Sequence, residues 1–202
     1  MDTFKNSLKF LPHCIIIGIL ASTSQILDQV TINVAKPVIE NGETIKAAVT
    51  FDPIIAWALF LGWALYFLAG CTVKEGAKAL AGWGAGELIA IGIIIAGNHL
   101  SGCEGFKFFG FPIAVGILSF TVILFEKVKG LNFIPAWFIG AAATFAYTGN
   151  PASTQTGLWW LALTVFLSGF AGLFYGWLTV VLRTAYGKMV GEGAEETEAA
   201  AE

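Results

Sequence analysis

Phe108–Phe125 reads FFGFPIAVGILSFTVILF, eighteen residues without one ionisable side chain. At 1.5 Å rise per residue, a helix of this length nearly covers the roughly 30 Å hydrocarbon layer of a bilayer. Inside lipid the backbone must satisfy its own hydrogen bonds, so the stretch reads as a helix. Five further apolar blocks lie between Leu11 and Leu182, and almost every Lys and Arg falls in the gaps between them. The pattern predicts an all-α, polytopic membrane helix bundle with six transmembrane helices.

The composition agrees. The chain has 202 residues, 56% hydrophobic and 12% charged, with a mean hydropathy of +0.75. Soluble domains carry about 25% charged residues. Six crossings and short loops use nearly all of residues 1–190, which leaves no room for a soluble catalytic domain. The net charge of −3 comes from the acidic tail 191–202, where Glu192, Glu195, Glu196, Glu198 and Glu202 gather. Its low complexity predicts a disordered cytoplasmic tail. No basic surface for nucleic acid is present.

The expected helices run over about Leu11–Leu27, Asp52–Ala69, Leu80–Asn98, Phe108–Phe125, Phe133–Thr148 and Leu158–Leu182. The basic start and apolar middle of the first block suggest a signal peptide. Asp28-Gln29-Val30 follows instead of a small-residue cleavage site, so the block reads as a retained helix. Asp52-Pro53 reads as the cap and first residue of the second helix. The connection 28–52, with Pro37 and Asn41-Gly42, reads as a loop with turns. With the N-terminus inside, Lys5, Lys9, Lys74, Lys78, Lys127, Lys129, Arg183 and Lys188 lie inside, against Lys36, Lys46 and Lys107 outside. That bias predicts two cytoplasmic termini.

The halves are weakly alike. Pro12 and Pro112 each precede a Gly-Ile-Leu; Pro53 precedes Trp57 and Gly62 as Pro135 precedes Trp137 and Gly140. Gly82-Trp83-Gly84-Ala85-Gly86 has a counterpart in Gly169-Phe170-Ala171-Gly172. A 3+3 inverted repeat would follow, since an odd number of crossings makes the second copy enter from the other side.

Chemistry-bearing residues are few. Glu87 stands out, because carboxylates in spans are costly and face an interior, a cavity or a partner; a hydrated position near the interface is the bland alternative. His13 and His99 lie at helix boundaries and could titrate near neutral pH. Ser22, Thr23, Ser24 and Gln25 near the end of the first helix, and Asn98 at the end of the third, could line a solute path. The hydroxyls could equally bond neighbouring backbone. Glycine faces at Gly82, Gly86 and Gly92, and at Gly169, Gly172 and Gly176, read first as helix packing. Trp57, Trp83, Trp159 and Trp160 read as an interfacial belt. Asn150-Pro151-Ala152 reads as a turn. Cys14, Cys71 and Cys103 suggest neither a disulfide nor a metal site. No catalytic or cofactor motif appears, so no enzyme and no cofactor are expected.

GWALYFLAG (62–70), GWGAGELIAIGIIIAGNHLS (82–101) and FIPAWFIGAAATFA (133–146) resemble a family of small bacterial inner-membrane proteins catalogued as a domain of unknown function, the one numbered 1097. The resemblance implies a bacterial inner-membrane location and no activity. The long outer loop and acidic tail are not expected throughout that family. The expected function is a channel or transporter for a small neutral or polar solute, working as a homo-oligomer in the lipid bilayer. The alternative is a membrane subunit that anchors or assembles partner proteins.

Overall fold

The computed structural model describes residues 2–40, 43–150 and 157–190. The chain forms helix α1 (Asp2–Asp28), strands β1 (Ile32–Glu40) and β2 (Glu43–Phe51), then α2 (Ala56–Leu68), α3 (Val73–Ser101) and α4 (Gly110–Leu124). A 3-10 turn (Phe125–Lys127), α5 (Ile134–Thr148) and α6 (Leu158–Val190) complete it. The six apolar blocks thus give six helices among the described residues. Among the described residues four segments are long and apolar enough to cross a membrane: Phe10–Asp28, Val73–Ser101, Gly110–Lys127 and Leu158–Val190. Helices α2 and α5 have 13 and 15 residues, about 20 and 22 Å at 1.5 Å each.

Two expectations about the connections need correction. The segment 28–52 is a β-hairpin, in register from Ile32 opposite Phe51 to Glu40 opposite Glu43. Asn-Gly between β-branched runs is the strongest short-range hairpin signal, and here it outweighs the loop reading. An isolated hairpin is marginal in water; this one is rooted by Phe51, buried with its ring centroid 4.8 Å from that of Trp160. The second helix does not begin at Asp52-Pro53. Ile55 is its extended N-cap residue and makes no side-chain cap. The acidic tail and Pro151-Ala152 lie outside the described residues.

Two parallel helix pairs form the centre. Helix α2 lies along α6, and α3 along α5. In each pair glycine brings the backbones into contact. A Cβ on Gly172 would collide with the Leu59 carbonyl, and one on Gly86 with the Trp137 carbonyl. Gly62 meets Gly169 and Gly172, and Gly140 meets Trp83, in the same way. Small residues permit this approach, and in lipid close packing replaces the missing hydrophobic drive between helices. Helices α3 and α6 cross antiparallel through the middle, each with 44% of its apolar window buried. The windows of α1 and α4 are 17% buried, so these helices are peripheral.

Trp83 is not part of an interfacial belt. It is fully buried, its ring lies where a side chain on Gly169 would sit, and its Nε1 donates to the Val165 carbonyl at 3.3 Å. Glycine on the facing helix opens the room that an indole fills. Trp159, by contrast, is 76% exposed.

Gly86→Ala and Gly140→Ala each force backbones apart and should destabilise by about 1–3 kcal/mol. Gly116→Ala, with open space around it, should not lower the melting temperature; thermal unfolding in detergent compares them. Cys71, after Gly70, adopts φ +60, a conformation that costs an L side chain about 1–2 kcal/mol. Cys71→Gly should therefore leave stability unchanged or higher in the same assay.

Candidate functional site

Helix α2 begins inside the bundle. Ser168, beside its first turn, lies ten residues into α6, about 15 Å below its start. The free N–H groups of a buried helix start need partners, and neighbouring helices supply them. Ser168 Oγ accepts from the Ile55 N–H at 2.9 Å. Asp28 Oδ1, at the end of α1, accepts from the Ala56 N–H at 2.6 Å. A carboxylate there also meets the positive end of the helix dipole. Thr164 Oγ1 donates to the Asp52 carbonyl at 2.6 Å and lies beside the Tyr147 side chain. Ser168 Oγ donates in turn to the Thr164 carbonyl at 2.7 Å. This layer of Asp52, Tyr147, Thr164 and Ser168 lies where the start of α2 meets α5 and α6.

Glu87 behaves differently. Helix α3 starts at Val73 rather than near Leu80, so Glu87 is its middle residue, fourteen from either end. Its side chain is 4% exposed within the bundle. It lies one turn beyond Trp83, on the stripe that faces α6. Its Oε2 has no hydrogen-bond partner among the described residues. Other buried hydroxyls are satisfied by carbonyls one turn back: Thr144 on Gly140 at 2.9 Å and Thr179 on Tyr175 at 2.8 Å.

The remaining candidates do not gather around Glu87. His13 is buried at the periphery, edge-on to the ring of Tyr186 near the end of α6, with centroids 5.2 Å apart. Ser22 donates to the Gly18 carbonyl at 2.9 Å and Ser24 to the Ala21 carbonyl at 2.7 Å. Thr23 donates to the Leu20 carbonyl and pairs with the Tyr175 hydroxyl at 3.0 Å. Gln25 is exposed on α1, and Asn98 and His99 are exposed at the end of α3. Cys14, Cys71 and Cys103 are free and exposed. Among the described residues no three His, Cys, Asp or Glu side chains come together as a metal site.

Sequence reasoning passed over Asp28, Asp52, Tyr147, Thr164 and Ser168. The available signal was Thr164 and Ser168 at i, i+4 within an otherwise apolar helix, a spacing that places two hydroxyls on one face.

This architecture defines an integral membrane protein built as a helix bundle. Residues 44–184, well over half of the chain, match the family described as "Protein of unknown function (DUF1097)", and the chain belongs to that family. Inner membrane protein YcdZ of Escherichia coli (strain K12) is 32% identical over 97 residues, covering 48% of this chain and 58% of that protein. With the four apolar spans, this relative supports a bacterial inner-membrane protein. No solved structure matches the chain.

Ser168→Ala leaves the buried Ile55 N–H without an acceptor and should cost about 1–3 kcal/mol. Ser22→Ala, whose hydroxyl only bonds its own helix, should cost far less; chemical or thermal unfolding in detergent measures both.

Proposed function

We propose that this chain is an inner-membrane transporter or channel for a small neutral or polar solute, with both termini cytoplasmic and with Glu87 at the centre of the solute path. It works as a homo-oligomer. The supporting observation is the carboxylate of Glu87: buried at the middle of a central helix, with one oxygen unpaired. A carboxylate at the bilayer centre costs about 2.5–3.5 kcal/mol or more, and leucine would fill the same volume without that cost. Intramembrane ionisable groups of this kind mark solute and proton paths. The eight-to-three bias of cations supports the orientation.

Reconstitution into proteoliposomes with a panel of small polar solutes tests the proposal. Flux of one solute above empty vesicles is expected, and its absence for every solute refutes it. Glu87→Gln should abolish or strongly reduce that flux. Glu87→Leu should also abolish it while raising the melting temperature, because the uncompensated buried polar atom is gone. Unchanged flux in both variants removes Glu87 from the mechanism.

The second reading is a non-transporting subunit that anchors or assembles partner proteins. The apolar windows of α1 and α4, only 17% buried, offer surface for it. Stable co-purification of a defined membrane partner, with no flux, would favour it.

A further inference from the structure

We infer that the chain is an inverted duplication whose halves exchange shapes, and that a solute cavity beside Glu87, closed here by Phe166, opens when a crevice beside Leu173 closes. The inference rests on the transport reading above and names its site and its moving parts.

The duplication stands on reciprocal contacts. Gly62 meets Gly169, and Gly140 meets Trp83; Gly172 meets the Leu59 carbonyl, and Gly86 meets the Trp137 carbonyl. Pairing Leu59 with Trp137 and Gly62 with Gly140 keeps one constant offset between α2 and α5. Pairing Trp83 with Gly169 and Gly86 with Gly172 keeps a second constant offset between α3 and α6. Each contact in one half therefore has its image in the other. The start of α2 obeys the same rule. Ile55 bonds Ser168, and their images Phe133 and Gly82 also touch, the Phe133 oxygen lying 3.3 Å from where a Cβ on Gly82 would be. The contact of Trp83 with Gly169 maps onto itself, so a pseudo-twofold axis passes through it. Helices α3 and α6 are antiparallel, so the axis lies across the bundle, as in inverted-repeat transporters.

The halves have different shapes. On one side of the axis a crevice of about 380 Å³ lies between α3 and α6, with Leu80, Phe170 and Leu173 in its wall. That volume suits a small molecule. The same offsets carry these three residues to Phe166, Gly84 and Glu87. There the Phe166 ring sits 3.2 Å from where a Cβ on Gly84 would be, and Glu87 is buried beneath. The crevice side is grooved, whereas on the image side the Phe166 ring lies against Gly84. The backbone contacts that support the two shapes repeat from one half to the other. Exchange of shapes lifts Phe166 from Gly84 and opens a cavity with a carboxylate in its wall. A carboxyl group with a free oxygen accepts hydrogen bonds, so the ligand is a small solute carrying N–H or O–H donors.

Two cysteine pairs test this in a background with Cys14, Cys71 and Cys103 changed to serine. Gly84→Cys with Phe166→Cys reports the arrangement described here, and the second change removes the ring that would crowd the first. Leu80→Cys with Phe170→Cys reports its image. A short bis-thiol cross-linker is applied in proteoliposomes. Both pairs should cross-link, and each cross-link should stop flux until it is reduced. Cross-linking at Gly84 and Phe166 with none at Leu80 and Phe170 overturns the exchange. So does flux that persists with the first pair locked. If no solute is carried by the unlocked protein, the transport reading fails, while the two cross-linking yields still decide whether the halves exchange.

Discussion

The structure depends on backbone meeting backbone at glycine in two parallel helix pairs. Between lipid-exposed helices there is no hydrophobic gain, since lipid tails are as apolar as leucine, and association must come from close packing. Gly62 and Gly172 provide it for α2 and α6; Gly86 and Gly140 provide it for α3 and α5. These contacts set where α3 crosses α6. At that crossing Gly169 makes room for Trp83. The indole then spends its N–H on the Val165 carbonyl.

A cost follows from the same geometry. Helices α2 and α5 are short and start part-way along their long partners, so Ile55 and Ala56 at the start of α2 are buried against neighbouring helices. Their N–H groups draw acceptors from other helices, Ser168 and Asp28. The polar layer there is a requirement of the fold. Hydroxyls in the core end on carbonyls, whereas one oxygen of Glu87 and the Nε1 of Trp63 have no hydrogen-bond partner among the described residues.

Glu87 also breaks the likeness between the halves. Its image is Leu173, an apolar residue in the core. The backbone contacts repeat, while the chemistry on either side of the crossing does not. A carboxyl group on one side and leucine on the other give the two halves unequal solvation in otherwise matched surroundings.

Sequence alone determined the environment and the class of this protein. Uncharged apolar runs of bilayer length can only be helices in lipid, and the six blocks, the glycine faces and the oddity of Glu87 were all readable along the chain. The hairpin at 32–51 is legible too, from Asn41-Gly42 between β-branched runs, a signal that Pro37 obscures. Only the tertiary structure decided which glycine faces which backbone, that Trp83 is core, and that α2 is capped by Asp28 and Ser168, since such partners lie on different helices with no fixed spacing in sequence. It also placed Glu87 at the middle of its helix, because the true start at Val73 is set by a local Thr72 cap on the Glu75 N–H, which hydropathy does not register. Hydropathy measures transfer into lipid residue by residue; the pairing of helices depends on shape and on hydrogen-bond accounting, which exist only once the chain is packed.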